Sequence, residues 1–219
     1  MSIYSDIKSV QKNSSQNDYL DANVNRKLSA PFSVVFVKLG FSANFVTLLS
    51  LVSDLVAIYM MYLSNWISAG ILVYLASVLD CSDGEVARYH RAKQESPPEK
   101  HFGGYLDEVL GTIGFTLVIF FAGYFMGFPW IGFFAMFGMF MVLISSMTAQ
   151  IEFPEKKKIA REFEQKLFGS LKGRIGFSYV AQRMMVALAV IFAVPLLLFI
   201  FGVLANLFWI FKFLVYRNQ

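Results

Sequence analysis

Charge, cysteine and histidine are all scarce in this chain. Only 16% of its 219 residues are charged, where a soluble domain carries about 25%. With 57% hydrophobic residues and 24 phenylalanines, that shortage excludes an ordinary soluble enzyme and points to an integral membrane protein of one domain. A lone cysteine, Cys81, excludes an internal disulfide framework. Acidic neighbours oppose its thiolate form and hence a nucleophilic role. Two histidines and one cysteine supply a zinc site poorly. Residues 1–30 lack the apolar run of a cleavable signal peptide, so none is expected.

Apolar runs occupy most of what remains. Residues 1–18 are rich in Ser, Asn, Gln and Lys and are expected to form a loose polar arm. Over residues 19–40, Leu20, Val24, Leu28 and Pro31-Phe32 recur near helical spacing beside Arg26 and Lys27. That pattern predicts an amphipathic helix lying in the membrane interface, its basic side near the headgroups. Residues 41–216 read as an all-α membrane domain of six spanning helices. Residues 43–63, 104–125 and 130–151 each supply the ~20 apolar residues that a hydrocarbon core requires. Residues 66–78 are too few, so their helix is expected to continue through the polar motif beyond. The last apolar run, 177–216, is too long for one span; Pro195 divides it into 177–193 and 195–215. Polar loops fall at 89–102, with Pro97-Pro98, and at 152–176.

All 19 lysines and arginines lie in residues 1–42, 79–103 and 152–176, at Arg183, or at Lys212 and Arg217. The turns near residues 64, 128 and 195 have none. By the positive-inside rule, both termini and the acidic motif are expected to be cytoplasmic in a multi-pass membrane protein. No nucleic-acid partner is expected.

That motif is Asp80-Cys81-Ser82-Asp83-Gly84-Glu85-Val86-Ala87-Arg88. On a helix, Asp83, Gly84, Ala87 and Arg88 fall within about 80° of Asp80. Two carboxylates three residues apart can share a cation, and hard oxygen ligands favour Mg²⁺ or Mn²⁺. Gly84 and Ala87 remove bulk from the same face, and Arg88 adds a forked donor for phosphate. Asp107, one turn after Gly103, is the natural third carboxylate. Three acids at a membrane boundary are costly unless paired, and a divalent ion would offset that cost. Solvated carboxylates at helix ends are the plainer alternative for any one of them. Asp54, in the first span on a stripe with Asn44, Thr47 and Leu51, suits a functional or a hydrogen-bonded structural role equally. Arg183, at the mouth of the fifth span, and the basic stretch including Lys156 and Arg174 are candidates for binding an anionic acceptor. The stretch also serves simply to set topology.

The motif resembles that of the CDP-alcohol phosphotransferase family, D-x2-D-G-x2-A-R, a spacer of about eight or nine residues, then G-x3-D-x3-D. Asp80, Asp83, Gly84, Ala87 and Arg88 match the first half, and Gly103 and Asp107 most of the second. Ser42-Ala43-Asn44-Phe45-Val46-Thr47 is similar to the family's Pro-Asn-x-x-Thr lead into the first span. The resemblance implies Mg²⁺ or Mn²⁺ on Asp80, Asp83 and Asp107. It implies a CDP-linked donor held by Asn44, Thr47, Asp80, Gly84, Ala87, Arg88 and Gly103. An acceptor hydroxyl would attack the phosphorus attached to the donor alcohol, and CMP would leave. The expected donor is CDP-diacylglycerol, the setting phospholipid synthesis among membrane lipids, and the assembly a homodimer. The alternatives are a CDP-linked small alcohol donating to a lipid hydroxyl, a non-catalytic nucleotide or lipid binder, and a cation transporter built on Asp54 and the acidic cluster.

Two departures stand out. The spacer between Arg88 and Gly103 has 14 residues. Gly111 occupies the position of the family's last aspartate, its proposed catalytic base. Glu108, about 100° from Asp107 on the helix, is expected to point elsewhere. Gly111 is open to three explanations: a chain inactivated to trap substrate, a divergent member using another base or an already acidic acceptor, or a pseudoenzyme.

Overall fold

Serine and asparagine open the long helices. The side-chain oxygens of Ser42, Asn65 and Ser178 accept from the backbone N–H groups of Phe45, Ser68 and Ala181, meeting donors that a helix start leaves orphaned. Pro129 and Pro195 each take a first helical position, where a missing N–H costs nothing. The computed structural model describes residues 3–12, 20–93, 101–152 and 178–217. In order they form α1 (Ile3–Lys12), a π-helical turn (Asp21–Asn25), α2 (Arg26–Lys38), α3 (Ala43–Tyr62), α4 (Trp66–Ala92), α5 (His101–Phe125), α6 (Pro129–Glu152), α7 (Tyr179–Ile191) and α8 (Pro195–Arg217). No strand occurs among the described residues.

Among the described residues, three helices are long and apolar enough to cross a membrane: α3, α4 and the Gly103–Phe125 part of α5. The apolar stretches Pro129–Ser145, Tyr179–Ile191 and Pro195–Phe211 are shorter. The 13 residues of α7 extend only about 20 Å at 1.5 Å per residue, against a hydrocarbon core of about 30 Å. Three helices thus meet the length criterion, against the six spans expected from the sequence. The helix through residues 66–78 does continue across the motif, unbroken to Ala92.

Each long helix turns apolar side chains outward. On α3, Leu48, Val52, Leu55 and Tyr59 are exposed, whereas Ser50, Ser53 and Asp54 are buried. Ser50 and Ser53 donate to the carbonyls of Ala76 and Leu72 on α4, each at 2.9 Å, the kind of polar stitching that joins helices in an apolar solvent. α5 and α6 cross at Gly123 and Gly132, where an added Cβ would strike the facing backbone. α4 lies between α3, α7 and α2, which brings its acidic motif to the middle of the bundle.

α2 is amphipathic with its polar side inward. Leu28, Phe32, Val35 and Leu39 are exposed, while Arg26, Ser29 and Ser33 are buried. The headgroup-facing basic surface expected here is therefore changed at Arg26, which pairs with Asp21 at 3.3 Å. The expected loose arm also contains structure, because α1 has its own docking stripe. Ile7 is buried with Ala30 and Tyr89, with Ile3 packed against them, and Gln11 reaches Glu85 on α4 at 2.8 Å.

Candidate active site

Asp83 is anchored first. Thr47, one turn from the start of α3, donates to its Oδ2 at 2.6 Å. Asp107, on α5, comes within hydrogen-bonding reach of Asp83. Asp80, one turn earlier on α4, shares with Asp107 the walls of two adjoining cavities of about 340 and 200 Å³. Asp83 is buried and Asp80 half-buried, because residues three apart share a face of α4; Asp107 reaches the same space from α5.

The smaller cavity lies against the π-helical turn. It is lined by Asp83, Gly84 and Arg88, and also by Asp21, Arg26 and Ser178. Gly84 has a specific use here. A Cβ at that position would stand 3.2 Å from Arg88 Nη1, so its absence lets the guanidinium fold back over the helix. Arg88 Nε is buried without a hydrogen-bond partner in the protein, a donor suited to an incoming phosphate oxygen. The larger cavity is bounded by Gly111, Thr112 and Glu108 on α5, and by Met139, Leu143 and Phe208 on α6 and α8. Glu108 does line this cavity with Asp107, contrary to the helical-wheel expectation. The cavity is broad enough to be reached by side chains more than one face apart.

The remaining predicted residues divide. Asn44 and Gly103 adjoin, with a Cβ at 103 only 3.1 Å from Asn44 Oδ1, but neither they nor Ala87 line the two cavities. Lys156 and Arg174 lie outside the described residues. Arg183 lines neither cavity. It is fully buried, with Nη1 2.6 Å from Asp54 Oδ1, so its charge is met inside the protein. Asp54 and Arg183 are 129 residues apart, and no local pattern announces their pairing. Asp21 and Arg26 were hidden for a different reason: their spacing resembles that of a surface helix. Tyr179 carried no signal at all.

The donor set suits a hard divalent cation. Asp80, Asp83 and Asp107 line the same cavity, and oxygen ligands of this kind are what hard divalent cations take. Among the described residues, no three of His, Cys, Asp and Glu close on a single point with ligand geometry.

Acids, a phosphate-ready arginine and two abutting cavities in an apolar helical bundle define a membrane-associated transferase of phosphate-linked groups. The chain belongs to the CDP-alcohol phosphatidyltransferase family, whose domain matches residues 41–214. Members transfer from CDP-linked donors to alcohols and generally use divalent metals. Over 82 residues the chain is 32% identical to archaetidylinositol phosphate synthase of Pyrococcus horikoshii. That alignment spans 37% of this chain and 40% of the relative, less than half the length of either.

Proposed function

We propose that the protein transfers a phosphatidyl-type group from CDP-diacylglycerol to an alcohol, releasing CMP, in phospholipid synthesis. The observation that carries this reading is the junction of two cavities at Asp80 and Asp107. One cavity offers Arg88 to a diphosphate; the other offers a partly apolar chamber for the acceptor or a lipid chain. Asp80, Asp83 and Asp107 would hold Mg²⁺ or Mn²⁺, which when bound offsets their charge and that of the diphosphate. Thr47 fixes one oxygen of Asp83. Arg88 binds phosphate over Gly84. The acceptor oxygen forms a bond to the phosphorus attached to the donor alcohol as the bond to CMP breaks. In this reading the chain crosses the membrane six times, with α7 set in a locally thinned region, and pairs as a homodimer. The charge distribution supports placing its termini and site in the cytoplasm.

Gly111 favours a second reading, binding without turnover, since residue 111 itself carries no carboxylate to take the acceptor's proton. Asp54 is spent on Arg183, which weakens a cation-transport reading. The test is CMP release by purified protein with Mg²⁺, CDP-diacylglycerol and a panel of alcohols, beside a Gly111→Asp variant. A general base is worth about 10²–10⁴-fold, so CMP release is expected to rise by that order in the variant. Full activity of the parent chain would remove position 111 from the mechanism. Absence of donor binding by both forms would sink the transfer reading.

A further inference from the structure

Tyr179 has no part in the steps above, yet it lines both cavities. Its phenol oxygen accepts two N–H groups of Arg183, Nε at 2.9 Å and Nη2 at 2.7 Å. Arg183 is held on three sides. Nη1 is 2.6 Å from Asp54 Oδ1, and the guanidinium carbon lies 4.6 Å from the centroid of the Phe115 ring and 5.1 Å from that of Tyr179. The Tyr179 ring also meets Phe115 edge to face, with centroids 5.6 Å apart.

A hydroxyl has two lone pairs and one proton. Arg183 takes both lone pairs, so the Tyr179 proton points away from the guanidinium. The acceptor the protein offers it is the Gly111 carbonyl oxygen at 3.4 Å, well beyond the ~2.7–2.8 Å of a good O–H···O bond. The same carbonyl is approached by Arg183 Nη2 at 3.5 Å. The Tyr179 proton thus has only a long bond to the Gly111 carbonyl and can turn to an acceptor in the space over Gly111. Asp80 flanks that space: a Cβ at 111 would stand 3.3 Å from Asp80 Oδ1 and 3.5 Å from the Tyr179 hydroxyl.

We propose that Tyr179 is a catalytic residue, donating a hydrogen bond through the space over Gly111 to a non-bridging oxygen of the phosphoryl group under transfer. Arg183 and Asp54 are positioning residues for it. The proposal rests on the transfer reading of the site. The cation behind the phenol polarises its O–H bond, and a donor fixed in advance where charge develops needs no reorganisation at the moment of reaction. Its place at the junction of the cavities is where the group passes from one to the other.

The test uses the full chain in lipid nanodiscs with Mg²⁺ and CDP-diacylglycerol, comparing the parent with Tyr179→Phe. That change keeps the ring and its aromatic contacts and removes only the hydroxyl. The ³¹P resonance of the bound donor's lipid-attached phosphorus is expected to move, with or without turnover. Where the parent turns over, kcat is expected to fall about 10²-fold while the donor KM stays nearly unchanged. An unmoved resonance with unchanged kcat overturns the proposal and leaves the transfer reading intact. Failure of the parent to bind CDP-diacylglycerol removes both. If melting shows that Tyr179→Phe does not fold, Arg183→Lys serves instead. It keeps the phenol but loosens its clamp, so the resonance should move, and an unmoved resonance again overturns the proposal.

Discussion

Asp54 and Arg183 form a completely buried ion pair, with both side chains at 0% exposure. Breaking a buried pair from one side leaves an uncompensated charge and costs about 3–5 kcal/mol, whereas replacing both partners by apolar residues is often neutral. Asp54→Asn is therefore expected to lower the denaturation midpoint of the purified protein. The double variant Asp54→Leu/Arg183→Met should recover most of that loss. If the double variant is no more stable than the single, the pair is not the source of the effect. Gly84 sets a subtler condition. Gly84→Ala puts a methyl group 3.2–3.3 Å from the Arg88 nitrogens, so the guanidinium must shift. Affinity for CMP measured by calorimetry should fall about tenfold, equivalent to ~1.4 kcal/mol. An unchanged affinity would show that Arg88 holds the nucleotide from some other position.

At the scale of elements, α4 is tied to its neighbours through a residue that faces away from the cavities. Glu85 is fully buried and accepts from Ser29 at 2.7 Å, Ser33 at 2.6 Å and Gln11 at 2.8 Å. Those donors come from α2 and α1, so one carboxylate fastens both helices to the motif helix. Gln11 also donates to the Arg26 carbonyl at 2.7 Å, linking this clasp to the Asp21–Arg26 wall of the smaller cavity. This explains why α2 carries its serines inward and its leucines outward. Glu85→Leu would leave buried hydroxyls and an amide without their acceptor, each costing about 1–3 kcal/mol. Hydrogen exchange should then quicken in α1 and α2 while the α5–α6 crossing is unaffected. Uniform protection across the chain would contradict the clasp.

Among the described residues, buried polar groups such as Asp54, Glu85 and Arg183 stand beside an apolar core while many large apolar side chains face outward, an exterior suited to a lipid solvent. If the six-span reading holds, the turns at Ser64, Phe128 and Val194 lie on one side of the membrane and Lys93 on the other. Single cysteines at these positions, in a Cys81→Ser background, should react with an impermeant maleimide from opposite faces of sealed vesicles. Labelling of residues 64 and 93 from the same face would reject an odd number of crossings between them, and with it the proposed topology.

The apolar helices α3 to α6 were legible from composition and periodicity, because long apolar runs and the punctuation of Pro129, Pro195 and Ser42 act locally, whereas α1 was not, because its helix depends on docking against α2 and α4. Asp80, Asp83, Gly84 and Arg88 were grouped for the same local reason, since they share a face in any helix, and they line one cavity; Ala87, on the same wheel, lines neither cavity, and nothing in that wheel announced Glu85. Linear order alone could not show that Arg183 would be consumed by Asp54, or that Glu108 would reach the same cavity as Asp107. It also concealed that α2 turns its polar side inward and that Tyr179 stands beside Gly111. Each of these depends on which helices become neighbours. That choice is made by side-chain packing and the pairing of buried polar groups across 50 to 130 residues of chain, roughly the span separating Ser33 from Glu85 and Asp54 from Arg183.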